Sequence, residues 1–202
     1  MAYENFNSIE KKQLFERKVA YLESPNKRGG VTPESLQEIL QIKGNENILD
    51  LGAGTGYLSI PIAQKTNGTV YALDYDSNML SFMKKRIAEN KIVNVHPLKG
   101  NIESIPLPYE SVDIVIASLV LHETKHLNLV LNEIKHVLKP GGILVCIELE
   151  KQEKDHHNHP RIDILDMKKE IKNTDLIVTD VLNPTNETYI IMAEKMNQKK
   201  SL

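Results

Sequence analysis

Between residue 32 and about residue 150 the chain alternates between a hydrophobic period of about 3.6 residues and short continuous apolar runs. A helical period followed by a buried apolar run, repeated several times, leaves little choice of architecture: strands lying parallel in one sheet, joined by right-handed helical crossovers. The spacing predicts helices over 31–44, 57–67, 77–90 and 127–138, and strands over 47–51, 69–73, 93–98, 112–118 and 143–147. Thr32 and Pro33 suit the start of the first helix. Met79, Met83 and Ile87 give the third helix one apolar face. The Lys139-Pro140-Gly141-Gly142 stretch reads as the stop of the fourth. The remainder departs from this rhythm: a helix over 162–172, then strands over 176–182 and 188–193 around a turn at Asn183-Pro184, which is close enough to make the pair antiparallel. The expected fold is therefore α/β, a doubly wound, mostly parallel seven-stranded sheet with a C-terminal antiparallel hairpin. Residues 1–30 read as a helical N-terminal extension and candidate lid, 31–195 as the main domain, and 196–202 as a flexible basic tail.

Composition narrows the function. The 202 residues hold 25 Lys+Arg against 27 Asp+Glu, no Trp and only 5% aromatics, which argues against a dedicated nucleic-acid surface. A single cysteine, Cys146, excludes an intramolecular disulfide framework and reads as a small core residue. No apolar run approaches the ~20 residues of a membrane-spanning helix, and the N-terminus lacks a basic-apolar-small leader pattern, so the expected location is cytoplasmic. The sequence carries no signal for oligomeric state.

Ligands of parallel sheets bind beyond the carboxyl ends of the strands. There the chain places Asp50-Leu51-Gly52-Ala53-Gly54-Thr55-Gly56, running from strand into helix, and Asp74, closing the next strand. A carboxylate at that second position can accept hydrogen bonds from both ribose hydroxyls of a nucleoside. The glycines are one residue tighter than the dinucleotide pattern G-x-G-x-x-G, and position 57 is Tyr. Asp50 would repel a pyrophosphate but suits an ammonium or sulfonium. The expected ligand is a cationic nucleoside rather than NAD.

The Ile48-Leu49-Asp50-Leu51-Gly52-Ala53-Gly54-Thr55-Gly56 run resembles the first motif of class I S-adenosylmethionine-dependent methyltransferases, which have a Rossmann-like fold. Four further stretches resemble later motifs in the same order: Ala72-Leu73-Asp74, the 100–106 segment Gly-Asn-Ile-Glu-Ser-Ile-Pro, Ser111-Val112-Asp113-Ile114-Val115, and Leu138-Lys139-Pro140-Gly141-Gly142. Within that superfamily the chain is most similar to the type 11-like, small-molecule branch. The resemblance implies a transferase that moves a methyl group from S-adenosylmethionine to a small-molecule acceptor, leaving S-adenosylhomocysteine. It implies that Gly52, Ala53, Gly54 and Gly56 form the cofactor turn, with Asp50 near the amino group. Asp74 would hold the ribose, and Tyr75 and Met79 would flank the adenine. Asn101, Ile102 and Glu103 belong to the adenine-contacting motif, and Asn101 stands where the family often has Asp. Ser118 and Leu119 would lie near the transferred methyl. Arg28, Tyr57 and His122 are the candidate acceptor-binding residues, and His122 is also the candidate catalytic base because its ordinary pKa is near neutrality.

Two other readings stay beside this one. Every motif concerns the cofactor, so a catalytically inactive cofactor-binding regulator or scaffold fits the same residues. His122-Glu123-Thr124-Lys125-His126 matches the H-E-x-x-H zinc-hydrolase signature, which requires both histidines on one helical face. Here the segment directly follows a strand, so it is expected to precede the helix; no metal site is assigned to it. The His156-His157-Asn158-His159 cluster reads as a solvated loop.

Overall fold

The computed structural model describes residues 2–151 and 160–197. The His156–His159 cluster and the end of the basic tail lie outside the described residues. Among the described residues six α-helices and seven strands follow in the order α1 (Ala2–Leu22), α2 (Pro33–Leu40), β1 (Ile48–Leu51), α3 (Ser59–Ala63), β2 (Val70–Asp74), α4 (Ser77–Glu89), β3 (Val95–Lys99), β4 (Val112–Ser118), α5 (Leu127–Val137), β5 (Leu138–Leu149), α6 (Ile164–Asn173), β6 (Leu176–Thr185) and β7 (Thr188–Lys195). The sheet order is β3-β2-β1-β4-β5-β7-β6. Strands β1 to β5 pair in parallel, and β7 is antiparallel to both β5 and β6. The mostly parallel seven-stranded architecture read from the sequence is the one observed.

Alternation along the strands explains the two layers of helices. Leu49 and Leu51 of β1, with Val115 and Ala117 of β4, face the side covered by Val130, Leu131 and Ile134 of α5 and Met167 and Ile171 of α6. Ile48, Ile114 and Ile116 point the other way, against Leu36 and Leu40 of α2, Ile62 of α3 and Leu80 and Met83 of α4. Both faces are thus buried, which is why the central strands carry continuous apolar runs. Cys146 lies in the middle of this core, paired with Ala117 on β4 and Ile191 on β7, and burial pushes its thiol well above the usual range.

Several boundaries differ from the sequence reading. Helix α2 ends at Leu40 rather than 44, because Gln41 takes a left-handed conformation (φ 44°). The regular part of the 57–67 helix is only Ser59–Ala63. Residues 139–142 are not a turn ahead of the fifth strand: Leu138 already pairs with Val112, and the ladder resumes at Ile143 opposite Ile114. Gly141 (φ 77°) makes this bulge, and Lys139 Nζ holds it to Asp113 Oδ2 at 2.7 Å. Asn183-Pro184 likewise sits inside β6, in a register shift, and the hairpin turns at Asn186-Glu187 between the paired Thr185 and Thr188. Proline is tolerated there because β6 is the sheet edge.

Candidate active-site cleft

Strand order reverses between β1 and β4, so the helices following them diverge and leave a crevice at their carboxyl ends. Leu51 pairs with Ala117, which sets the glycine turn beside Ser118. The turn is held by the backbone of β2 and by one acid, Asp74. Ala53 N–H donates to Leu73 O at 2.9 Å. Gly54 N–H donates to Asp74 Oδ2 at 2.7 Å, and Asp76 N–H donates to Asp74 Oδ1 at 2.8 Å. Asp74 therefore locks the turn while lining the cleft. Gly52 (φ 66°) passes so close to the segment after β4 that a Cβ on it would stand 2.6 Å from Val120 Cγ2.

Asp50 is buried behind the turn and accepts a hydrogen bond from Ser59 Oγ. Burial pushes its pKa up from 3.8 to about 6, against the Ser59 hydrogen bond and the nearby Arg28 charge. The native carboxyl thus binds its proton more tightly than the unfolded one. Its stabilising contribution is complete below about pH 3.8 and is lost as pH rises through about 6. Asp50→Asn keeps an acceptor for Ser59 and carries no charge. It is expected to be more stable than the parent at pH 7.5 by up to about 3 kcal/mol and to flatten the pH dependence of unfolding between 4 and 6. Denaturant titrations across that range check this, and a variant less stable at pH 7.5 would contradict it.

The cleft measures about 950 Å³. One end is walled by Gly52, Gly54, Asp74, Tyr75, Met79, Asn101, Ile102 and Glu103. Met79 is buried and Tyr75 is 71% exposed, so the two differ in how firmly each is fixed. Asn101 Oδ1 accepts the Glu103 N–H at 3.0 Å, closing a short turn, and Glu103 accepts from Thr124 Oγ1 at 2.8 Å. The other end contains Ser118, Leu119, Arg28 and His122. Leu119 has φ 54°, a strained conformation for a leucine, and its N–H donates to Ile147 O. Arg28 Nη2 donates to Ser118 Oγ at 2.9 Å, and its guanidinium lies 4.9 Å from the centre of the Tyr57 ring.

Four sequence candidates do not line the cleft. Asp50 and Ala53 lie behind the turn, Tyr57 reaches it through Arg28, and Gly56 serves packing, since a Cβ there would meet Met83 and Ile60. In contrast, Lys18, Tyr21 and Leu22 of α1 do line it. Helix α1 is tied across α4 by Lys18 Nζ to Asp76 Oδ2 at 2.9 Å, Arg86 Nη1 to Glu23 Oε1 at 2.6 Å, and an edge-on Phe15–Phe82 contact.

Sequence reasoning also missed Glu148, buried near the end of β5. Its Oε2 lies 2.6 Å from His122 Nδ1. The signal was available: a lone acid closing an apolar strand. Burial lowers the His122 pKa, but the Glu148 hydrogen bond and charge outweigh it, leaving His122 above its ordinary value. The His122–His126 segment is a short 3-10 turn followed by extended Thr124, and α5 begins only at Leu127. The two histidines therefore share no helical face: His122 turns to Glu148 and His126 to Glu103. Among the described residues no group of three or more His, Cys, Asp or Glu is placed to hold a metal ion, and no helix is long and apolar enough to cross a membrane.

Sheet order, glycine turn and cleft together define a doubly wound α/β protein with its site at the switch point. A methyltransferase-domain family model matches residues 42–195. The chain belongs to that family. It is 32% identical over 117 residues to a demethylmenaquinone methyltransferase of Geobacillus sp., a stretch that is 57% of this chain and 50% of that protein. It is 38% identical over 104 residues to the protein of that name from Lactococcus lactis, covering 50% and 41%. The chain thus spans about half the length of the curated relatives it matches. Among solved structures, a SAM-dependent methyltransferase from Aquifex aeolicus superposes with TM-score 0.79 at 24% identity, over 88% of this chain and 97% of that one. The [4+2]-cyclase SpnF superposes with TM-score 0.75 at 17% identity, over 81% and 79%. At these identities the likeness is one of fold.

Proposed function

We propose that the chain is an S-adenosylmethionine-dependent methyltransferase acting on a small-molecule acceptor. The observation that carries this reading is the continuous cleft, with the Asp74-locked glycine turn at one end and His122 at the other. The donor set fits the cofactor. Gly52 carries no side chain toward the cleft, Asp74 keeps unused lone pairs for ribose hydroxyls, and the carboxylates of Asp50 and Asp74 flank the turn and suit the cationic end of the ligand. When bound, S-adenosylmethionine supplies a methyl group already activated on a sulfonium. The chain's task is to exclude water and hold the acceptor in line at about 3–3.5 Å. Met79 and Ile102 offer apolar surface to the adenine, and Ser118 and Leu119 lie beside Arg28 and His122 at the acceptor end of the cleft. The N-terminal extension covers the cleft through Lys18, Tyr21 and Leu22, and Arg28 presents a positive charge to an anionic acceptor. The reading places the reaction in the cytoplasm.

Calorimetry with S-adenosylmethionine and S-adenosylhomocysteine tests the cofactor, and absence of binding by both defeats the proposal. Transfer of radiolabelled methyl to a metabolite extract tests the enzyme; binding without transfer would assign a regulatory or scaffold role. Demethylmenaquinone, in the names of the relatives, is the first acceptor to try.

A further inference from the structure

The cofactor motifs make no use of the His122–Glu148 pair. Glu148 is 1% exposed, and a carboxylate so placed is costly unless it is well hydrogen-bonded. Its Oε1 accepts the backbone N–H of Leu121 at 2.9 Å and of His122 at 3.4 Å, and Oε2 faces His122 Nδ1 at 2.6 Å. A carboxylate only accepts, so the proton in that last contact sits on Nδ1, and in the neutral ring Nε2 then bears the lone pair. His122 lines the cleft with 17% of its side chain exposed. Glu148 is anchored by the pairing of β5 with β7, opposite Tyr189, so the sheet itself aims the imidazole.

Resting on the methyl-transfer reading, we propose that Glu148 is a positioning residue that holds His122 as proton acceptor for a phenol- or enol-type hydroxyl on the substrate. The substrate O–H bond breaks and its proton passes to His122 Nε2. The electron pair on oxygen, or on the carbon conjugated with it, forms the new bond to the methyl carbon. The pair of the broken carbon–sulfur bond stays with sulfur as a neutral thioether. An aromatic amine attacks with its own neutral lone pair, an aliphatic ammonium would meet the positive charges of Arg28 and Arg161 in this cleft, and a thiol ionises at a pKa of about 8.5 with little help. A phenol-type hydroxyl, at about 10, has a nucleophilic form that is scarce at neutral pH, and it is the acceptor that a held imidazole serves. Arg161, ahead of α6, and Arg28 line the same cleft and place positive charge near the developing anion. The charged groups facing His122 are Glu148 from β5, Glu123 from its own turn and Arg161; the two acids favour the protonated ring and Arg161 opposes it.

Nitrogen NMR of the full chain with labelled histidine reads the arrangement without turnover. His122 is expected in the Nδ1–H tautomer, with a titration midpoint that falls in Glu148→Gln and recovers partly in Glu148→Asp. An Nε2–H tautomer, or a midpoint indifferent to Glu148→Gln, overturns the positioning role. With S-adenosylhomocysteine present, 4-nitrophenol is the hydroxyl probe: the wild-type chain is expected to raise its phenolate absorbance at pH 6.5 and His122→Ala to abolish that rise. No spectral change with the wild-type chain overturns the hydroxyl assignment. Labelling of the metabolite extract is expected to fall about 100-fold in His122→Ala and Glu148→Gln, with S-adenosylhomocysteine affinity kept within about 2-fold. Undiminished labelling by His122→Ala overturns the proton-acceptor role. Failure of the wild-type chain to bind S-adenosylhomocysteine defeats the methyltransferase reading separately, leaving the tautomer result intact.

Discussion

An Asp74→Ala chain is expected to lose at least 100-fold in affinity for S-adenosylhomocysteine. The carboxylate accepts two backbone N–H groups, from Gly54 at 2.7 Å and Asp76 at 2.8 Å, and it lines the cleft where the ribose is proposed. The two ribose hydroxyls would each donate to this charged acceptor at about 1.5–3 kcal/mol per hydrogen bond, and removing the carboxylate also leaves the Gly54 N–H without its partner and unlocks the turn. A net loss of about 3 kcal/mol is a factor of about 150 in binding. Asp74→Asn, which retains one carbonyl acceptor, should fall between the two. Calorimetry at pH 7.5 reads both. An Asp74→Ala chain that binds within about 3-fold of the parent would remove Asp74 from the nucleoside site.

Gly52→Ala is expected to destabilise the fold as well as the site. At φ 66° an alanine pays a backbone penalty of about 1–2 kcal/mol, and its Cβ would stand 2.6 Å from Val120 Cγ2 and 3.1 Å from Val120 Cβ. Overpacking of that kind adds roughly 1–3 kcal/mol. The sum of about 2–5 kcal/mol corresponds to a fall in Tm of about 10 °C for a chain of this size. The two causes separate in a double variant: adding Val120→Ala relieves the overlap and leaves the backbone term, so part of the loss should return. Thermal unfolding measures this, and a Gly52→Ala chain melting within about 1 °C of the parent contradicts the close approach.

The central strands were legible because each is buried on both faces, which forces a continuous apolar run into the sequence. The ends of the elements were not, because residue types that make turns also make bulges. Pro140-Gly141-Gly142 reads as a stop, yet the pairing of Leu138 with Val112 and the Lys139–Asp113 ion pair keep the segment in β5. Asn183-Pro184 reads as a turn, yet an edge strand has no partner to miss the proline N–H. In the site, the glycine turn and Asp74 were legible because their conformation and position follow from local sequence. The contributions of Lys18, Tyr21 and Leu22 depend on α1 crossing α4, a long-range contact without a local pattern. Glu148 escaped because a strand read by its hydrophobicity stops at Ile147, one residue short of the acid.

The buried Cys146 gives the protein a built-in clock. A thiol reagent reaches it only after the β5–β7 ladder parts, and the raised thiol pKa keeps the native side chain inert. The labelling rate therefore counts openings of the sheet centre. A ligand bound only to the closed form is expected to slow that count by the factor 1 + [L]/Kd when reclosing outpaces labelling. Timing one thiol at several cofactor concentrations thus yields the affinity of the cleft with no methyl acceptor in the tube.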